Sequence, residues 1–319
     1  MKTRVRYSIL MRRVAKRIVL YFLLRIKPNL YRSIDYSLTK LIYLKLKVLI
    51  LYILARILQG DMRSKLRGTR AVFNHGVDQI GIIIANGPSA LELDLMSLKS
   101  ARNQNSIKIF MVNFALLAES FRDCGCDYLV LSDPETRPTA NNFRNRILWD
   151  IITTNREMRI ITPTGWHNDT GLIECKLGTC LHFNDNSLET ITSNISPRKP
   201  RGYASLTAYK ALAFACYMNF SQIYICGIDN SFFRGIIVNE NNHLIQKSNH
   251  LSPDYSQDSD LSSFFPNGMA DYFFDTSVMF SSLKKSFGHK NIFNLGKNSE
   301  VDIFPKNCSD PLFESLRKI

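Results

Sequence analysis

Apolar and polar positions alternate along residues 80–306 in blocks of two kinds. Short aliphatic runs end in polar or glycine turns, and segments with helical apolar spacing follow them. Ile82–Ala85 predicts a strand buried on both faces, and Asn86-Gly87 stops it, because both residues tolerate the positive φ of a sharp turn. Pro88 and Ser89 suit a first turn and cap, which predicts a helix from Ser89 to Ser97 carrying Leu91 and Leu95. Ile107–Val112 is a second strand ending at Asn113, and Ala115–Phe121 a helix. Tyr128–Leu131 is a third strand ending at Ser132-Asp133-Pro134, and Met158–Thr162 a fourth, stopped by Pro163 and Gly165. Thr207–Tyr217 has helical spacing, Gln222–Cys226 is a strand ending at Gly227-Ile228-Asp229, Asp271–Phe287 a long helix and Asn291–Leu295 a last strand. The alternation predicts an α/β fold, Rossmann-like, with a mostly parallel sheet and flanking helices. Residues 235–265 are polar and predict a lid-like loop.

Residues 1–70 follow another pattern. They hold 18 basic and two acidic residues around apolar runs, while the whole chain of 319 residues carries +14. The basicity therefore belongs to the N-terminal fifth, which divides the chain into a basic amphipathic helical segment, 1–70, and a globular domain, 71–319. The longest uninterrupted apolar run, Val48–Ala55, is far short of the ~20 residues that cross a bilayer. Basic residues flanking apolar helical runs predict an interfacial segment, residues 1–60, on an anionic cytoplasmic leaflet. The alternative is a basic hairpin that packs on the domain or binds nucleic acid, but no nucleic-acid module accompanies it, and no nucleic-acid partner is expected. No small-residue cleavage site follows the basic start, so a removable signal peptide is not expected.

Hydrophobic residues make up 45% and aromatics 11%, which excludes a disordered chain. Seven cysteines without a paired framework fit a reducing compartment. Cys175 and Cys180 with His167 and His182 do not repeat a known zinc spacing, and no metal site is expected. In open parallel sheets ligands gather at the carboxyl ends of strands. Four strands here end in Asn86, Asn113, Asp133 and Asp229, which together predict a cleft. A strand, a glycine turn and a helix N-terminus at 82–89 offer amides and a positive dipole end to a phosphate. No P-loop occurs, and Asp258-Ser-Asp260 matches an Asp-x-Asp motif in letters only, since no buried strand precedes it.

Ala85-Asn86-Gly87-Pro88-Ser89 after a buried strand resembles the nucleotide-binding loop of bacterial sialyltransferases that use CMP-sialic acid. It is also similar to the loop of the MptE-like family, which includes pterin diphosphokinases and flagellin-modifying glycosyltransferases. Three further blocks carry the resemblance in order: Met111–Phe114, Ser205–Asp229 and Asp271–Pro305. It implies that Asn86, Gly87, Pro88, Ser89, Asn113 and Asp133 surround the CMP part of a donor. Ser205 and Thr207 would cap the following helix and offer hydroxyls to a ribose or carboxylate, with Asp229 at the Gly-Ile-Asp strand end. Arg201 would meet a carboxylate or phosphate bidentately. Two departures stand out: Ser231 replaces the tyrosine that binds donor phosphate, and Ser262–Asp271 holds no histidine. An Asn-His pair after the Gly-Ile-Asp strand resembles the broader relatives and makes His250 the expected general base, with His243 and Tyr255 nearby. The resemblance thus implies a sialyltransferase-like glycosyltransferase that takes a nonulosonic acid from a CMP donor without a metal. The acceptor would be a lipid-linked glycan of bacterial surface polysaccharide, reached at the cytoplasmic side of the inner membrane. A pterin-type diphosphokinase and a degenerate, non-catalytic membrane-associated protein stay open as alternatives.

Overall fold

The computed structural model describes residues 65–155, 157–167, 169, 180–189, 191–247 and 258–306, together with Glu314 and scattered positions between 42 and 53. The chain divides into two compact units, Met1–Gly60 and Asp61–Ile319. In the first, the described positions are helical, and Ile42, Leu46, Leu49 and Ile53 are exposed at the spacing of one helical face. No helix among the described residues is long and apolar enough to cross a membrane.

The second unit opens with helix α1 (Arg67–Ala71). Its strands are β1 (Ile80–Ile84), β2 (Ile107–Val112), β3 (Tyr128–Val130), β4 (Arg159–Pro163), β5 (Cys180–Phe183), β6 (Gln222–Cys226), β7 (Ile236–Val238), β8 (Leu244–Gln246), β9 (Ser259–Asp260) and β10 (Ile292–Asn294). Seven of them form one sheet of order β10-β6-β1-β2-β3-β4-β5 in which every pairing is parallel. Among the described residues the remaining helices are α2 (Leu95–Asn103), α3 (Glu119–Cys124), α4 (Phe143–Thr154), α5 (Thr207–Tyr217) and α6 (Met269–Phe287).

Alternate strand residues divide between the two faces, as strand geometry requires. Ile83, Phe110, Val130 and Ile161 join α5 and α6 in one buried cluster, which includes Leu212, Phe214 and Phe287. Ile82, Ile84, Ile109 and Leu129 join the other with Leu98 of α2, Phe121 of α3 and Leu148 and Ile152 of α4. Both faces are covered, so the inner strands carry continuous aliphatic runs. The result is a parallel-sheet α/β fold of Rossmann-like layering, as the alternation predicts. The chain runs outward from β1 to β5 and then returns to the other side of β1 as β6. That reversal places a topological switch point between β1 and β6.

Local structure differs from expectation in four places. The helix expected from Ser89 is a 3-10 turn, Pro88–Glu92, followed by α2, which Asp94 starts by accepting hydrogen bonds from Met96 N and Ser97 N. The helix expected at Ala115–Phe121 is likewise a 3-10 turn, Asn113–Leu117, followed by α3. Strand β5 and helix α4 occupy stretches where the sequence pattern predicts no element. The polar stretch 235–265 contains an antiparallel sheet of order β7-β8-β9.

Candidate functional site

A cleft of about 830 Å³ opens at the carboxyl ends of β1, β2, β3 and β6 and the N-terminus of α5. Gln246 and Ser259 of the small sheet stand on its lining. Asn86, Gly87, Pro88, Asn113, Asp133, Ser205, Thr207 and Asp229, all sequence-predicted, line it; Ser89 and Arg201 do not. His250 and Tyr255 lie outside the described residues.

The 86–89 loop is built differently from the predicted phosphate cradle. Gly87 has φ −77°, not a positive φ. Glycine is needed there because a β-carbon would collide with Asp229 Oδ2 and stand 2.5 Å from the Gly227 carbonyl. The amide of Gly87 donates to Gly227 O at 2.8 Å, that of Ser89 to Asp229 Oδ2 at 2.9 Å, and that of Ala90 to Gly87 O at 3.1 Å. The Ser89 hydroxyl is buried and accepts from Gly227 N at 3.0 Å. The Gly87 and Ser89 bonds clasp the end of β1 to that of β6 and the Ala90 bond closes the turn, so all three amides are engaged within the protein. Among the described residues, Asn86 Oδ1 and Asp229 Oδ1 are buried acceptors without a hydrogen-bond partner.

The opposite wall is knitted across three elements. Asn113, at φ 45°, donates from Nδ2 to Thr207 Oγ1 at 3.0 Å and accepts from Ser132 N at 3.2 Å. Ser132 Oγ and Thr207 Oγ1 are 2.6 Å apart. Asp133 accepts from Glu135 N at 3.1 Å and starts the short turn Pro134–Thr136. The N-terminus of α5 receives no side-chain cap: its N-cap residue is Leu206, and neither Ser205 nor Thr207 caps it as expected. The Thr207 hydroxyl points sideways into the Asn113–Ser132 network instead.

Arg201 is buried and is not among the lining residues, although its neighbour Asp185 is. Its guanidinium donates to Tyr203 O and stands 3.7 Å from Glu189 Oε2 and 3.8 Å from Asp185 Oδ1. Burial pushes the Glu189 carboxyl above its usual range, opposed by Arg201. Arg201 thus fastens the loop before α5.

Among the described lining residues the cation is Lys210, which the sequence pattern did not single out. It lies one turn inside α5, its side chain is 4% exposed, and Nζ is 3.0 Å from Asp185 Oδ1. The Phe183 ring lies 5.3 Å from the same nitrogen. Burial lowers the Lys210 pKa, and the Asp185 carboxylate opposes that shift. One charge inside the apolar run Ala208–Ala215 was the available signal, because lysine is rarely buried without a purpose for its charge. Among the described lining residues the carboxylates are Asp133, Glu135, Asp185 and Asp229, against Lys210 alone as a basic side chain. Asn230, left-handed at φ 50°, donates to the Tyr209 hydroxyl and completes the wall beside Asp229.

His243 pairs with Asp260 at 3.1 Å on the small sheet and is not part of the lining. No group of three or more His, Cys, Asp or Glu side chains placed to hold a metal ion occurs among the described residues. Fold and cleft together define a parallel-sheet α/β protein with a polar site at its switch point. No protein-family model matches the chain, and no curated protein matches it.

Proposed function

We propose that the protein is a glycosyltransferase that takes a nonulosonic acid from a CMP-activated donor and passes it to a lipid-linked glycan in bacterial surface polysaccharide synthesis. One observation carries this reading: eight of the ten residues that the sequence assigns to donor binding line a single cleft at the switch point. In the proposed reaction an acceptor hydroxyl attacks the anomeric carbon in one inverting displacement, CMP leaves, and a base takes the hydroxyl proton. His250 is the proposed base; in the sequence it falls between Gln246 and Ser259, which are register partners and both line the cleft. The surplus of basic residues in 1–70 and the apolar face of Ile42, Leu46, Leu49 and Ile53 support work at the cytoplasmic membrane surface, where a lipid-linked acceptor lies.

Four carboxylates on the lining favour a second reading, a pterin-type diphosphokinase whose nucleotide arrives with a divalent cation. Full-length protein incubated with CMP-, UDP- and GDP-sugars and ATP, with and without Mg²⁺, separates the two. Metal-independent CMP release and thermal stabilisation by CMP are expected. Mg²⁺-dependent pyrophosphoryl transfer from ATP would establish the second reading, and silence toward every nucleotide would leave a non-catalytic membrane-associated protein.

A further inference from the structure

We infer that Lys210 is the oxyanion-binding residue of the cleft, and that an entering ligand draws it away from Asp185. The two ends of the cleft differ in chemistry. At the β1–β6 end, Asn86 Oδ1 and Asp229 Oδ1 are buried acceptors unpartnered among the described residues, and the amides of Gly87, Ser89 and Ala90 are bonded within the protein. An anion placed there would meet a buried carboxylate with no free donor from those amides. Both oxygens are buried, so this end of the cleft offers an anion neither a free amide from the three nor, among the described residues, a cation.

The α5 end has the opposite character. Ser205, Leu206, Thr207 and Ala208 line the cleft at the start of an 11-residue helix that has no side-chain cap, so its positive dipole end is directed there. Lys210 follows one turn later. Burying an ammonium is costly unless its partner compensates fully. Here the compensation is partial, because Asp185 is 40% exposed and therefore well hydrated. Asp185 also has Arg201 at 3.8 Å, so it keeps a cationic neighbour and solvent when Lys210 turns to a ligand. Besides Asp185, Lys210 stands near the Phe183 ring, 5.3 Å from Nζ. Asp133 also lines the cleft, but the ion pair that Lys210 makes is with Asp185.

The oxyanion is therefore held at Lys210 and the α5 N-terminus and not at the 86–89 loop. The inference rests on the proposed donor only for the source of that oxyanion, which is either the phosphate or the sugar carboxylate.

Inorganic phosphate and N-acetylneuraminate serve as separate probes of the two sources, titrated into the full-length chain by calorimetry and, for phosphate, by phosphorus NMR line broadening. At least one is expected to bind, and whichever does identifies the source. Lys210→Met should weaken that binding by roughly 10–100-fold, the loss of a charge-assisted hydrogen bond, while Lys210→Arg retains it. Asp185→Asn should tighten it, because the competing carboxylate is gone; an ion pair that only holds the fold would give no such gain. Lys210→Gln is made beside Lys210→Met, and Asp185→Asn reads the same competition without touching the lysine. Failure of both probes to bind wild type, undiminished binding in Lys210→Met, or weaker binding in Asp185→Asn would overturn the inference. Cytidine is the independent probe of the proposed function. If oxyanion binding follows Lys210 but cytidine never binds, the CMP donor is wrong and the role of Lys210 stands.

Discussion

A β-carbon on Gly87 has nowhere to go, since Asp229 Oδ2 and the Gly227 carbonyl already fill the space. Gly87→Ala should therefore push the β1–β6 clasp apart, costing ~1–3 kcal/mol as an overpacked contact does, and weaken ligand binding beside Asn86. Denaturant unfolding and nucleotide titration check both effects; wild-type stability in the variant would mean that the clasp is slack. The position was legible in the sequence as a glycine turn, but the reason was not. Turn propensity implies positive φ, whereas the real constraint is a carboxylate 142 positions later that no local pattern reveals. The same limit hid the ion pairs of Arg201 and Lys210 with Asp185 and Glu189. A second residue-scale prediction concerns His182, which is 6% exposed. Its ring lies 3.0 Å from Thr162 Oγ1 and 3.1 Å from His167 Nδ1. Burial, followed by the charges of His167 and Lys65, lowers its pKa from 6.5 to about 4. The unfolded chain binds a proton below about pH 6.5 that the folded chain refuses until about pH 4. Stability from this group is thus complete above pH 6.5 and falls as the pH drops toward 4, by on the order of 2–3 kcal/mol. Urea unfolding between pH 4.5 and 7.5 should show a steeper acid loss in wild type than in His182→Gln. Equal slopes would remove His182 as the cause.

Among the elements, the strands that pack on both faces were the easiest to read. β1, β2 and β6 are aliphatic runs because both sheet faces are covered, and the sequence shows them directly. Helix α4 escaped because its buried positions, Asn145, Leu148 and Ile152, include a polar residue and stand among Arg144, Arg146 and Asp150. Its Asn145 side chain donates to Arg137 O and Ala140 O, a tertiary tie that pattern counting scores as an exposed position. Edge strand β5 escaped because it has four residues and a central histidine, whose backbone is held by the Thr69 hydroxyl of α1. The split of the first expected helix has a local cause: Leu93 is extended and buried, and Asp94 starts a new helix. Asp94 Oδ1 accepts from Met96 N at 3.1 Å and Ser97 N at 3.2 Å, and Oδ2 from Ser97 Oγ at 2.7 Å. Asp94→Ala should cost about 1 kcal/mol, as loss of an N-cap does, and Asp94→Ser should restore most of it. Thermal or denaturant melts of the two variants decide it. An Asp94→Ala variant as stable as wild type would show that packing of Leu98 alone holds α2.

At the scale of the whole molecule, the boundary between the units decides how the chain can be cut. Residues 61–70 carry basic charge like the segment before them, yet they belong to the folded unit. Thr69 is fully buried and bonds the His182 backbone, and α1 packs on β5. A chain of residues 61–319 should therefore unfold as cooperatively as the full protein, whereas one beginning at residue 72 loses those contacts and should melt lower. Residues 1–60 retain 14 basic residues and one acidic one. Each basic residue near an anionic bilayer contributes about 1 kcal/mol, and each buried aliphatic side chain about 1.5–3 kcal/mol. Even if ordering the segment cancels most of that sum, enough is left to hold the protein on an anionic surface. Full-length protein should sediment with vesicles containing anionic lipid, less so at high salt because part of the attraction is screened charge, while the aliphatic part leaves a detergent-sensitive remainder. The 61–319 chain should stay in the supernatant, bind nucleotide with unchanged affinity, and act poorly on lipid-linked acceptors. Equal sedimentation of the two chains would place the membrane contact in the folded unit instead. Resistance of the full chain to both high salt and alkaline carbonate would mean that the segment around Val48–Ala55 inserts more deeply than an interfacial helix.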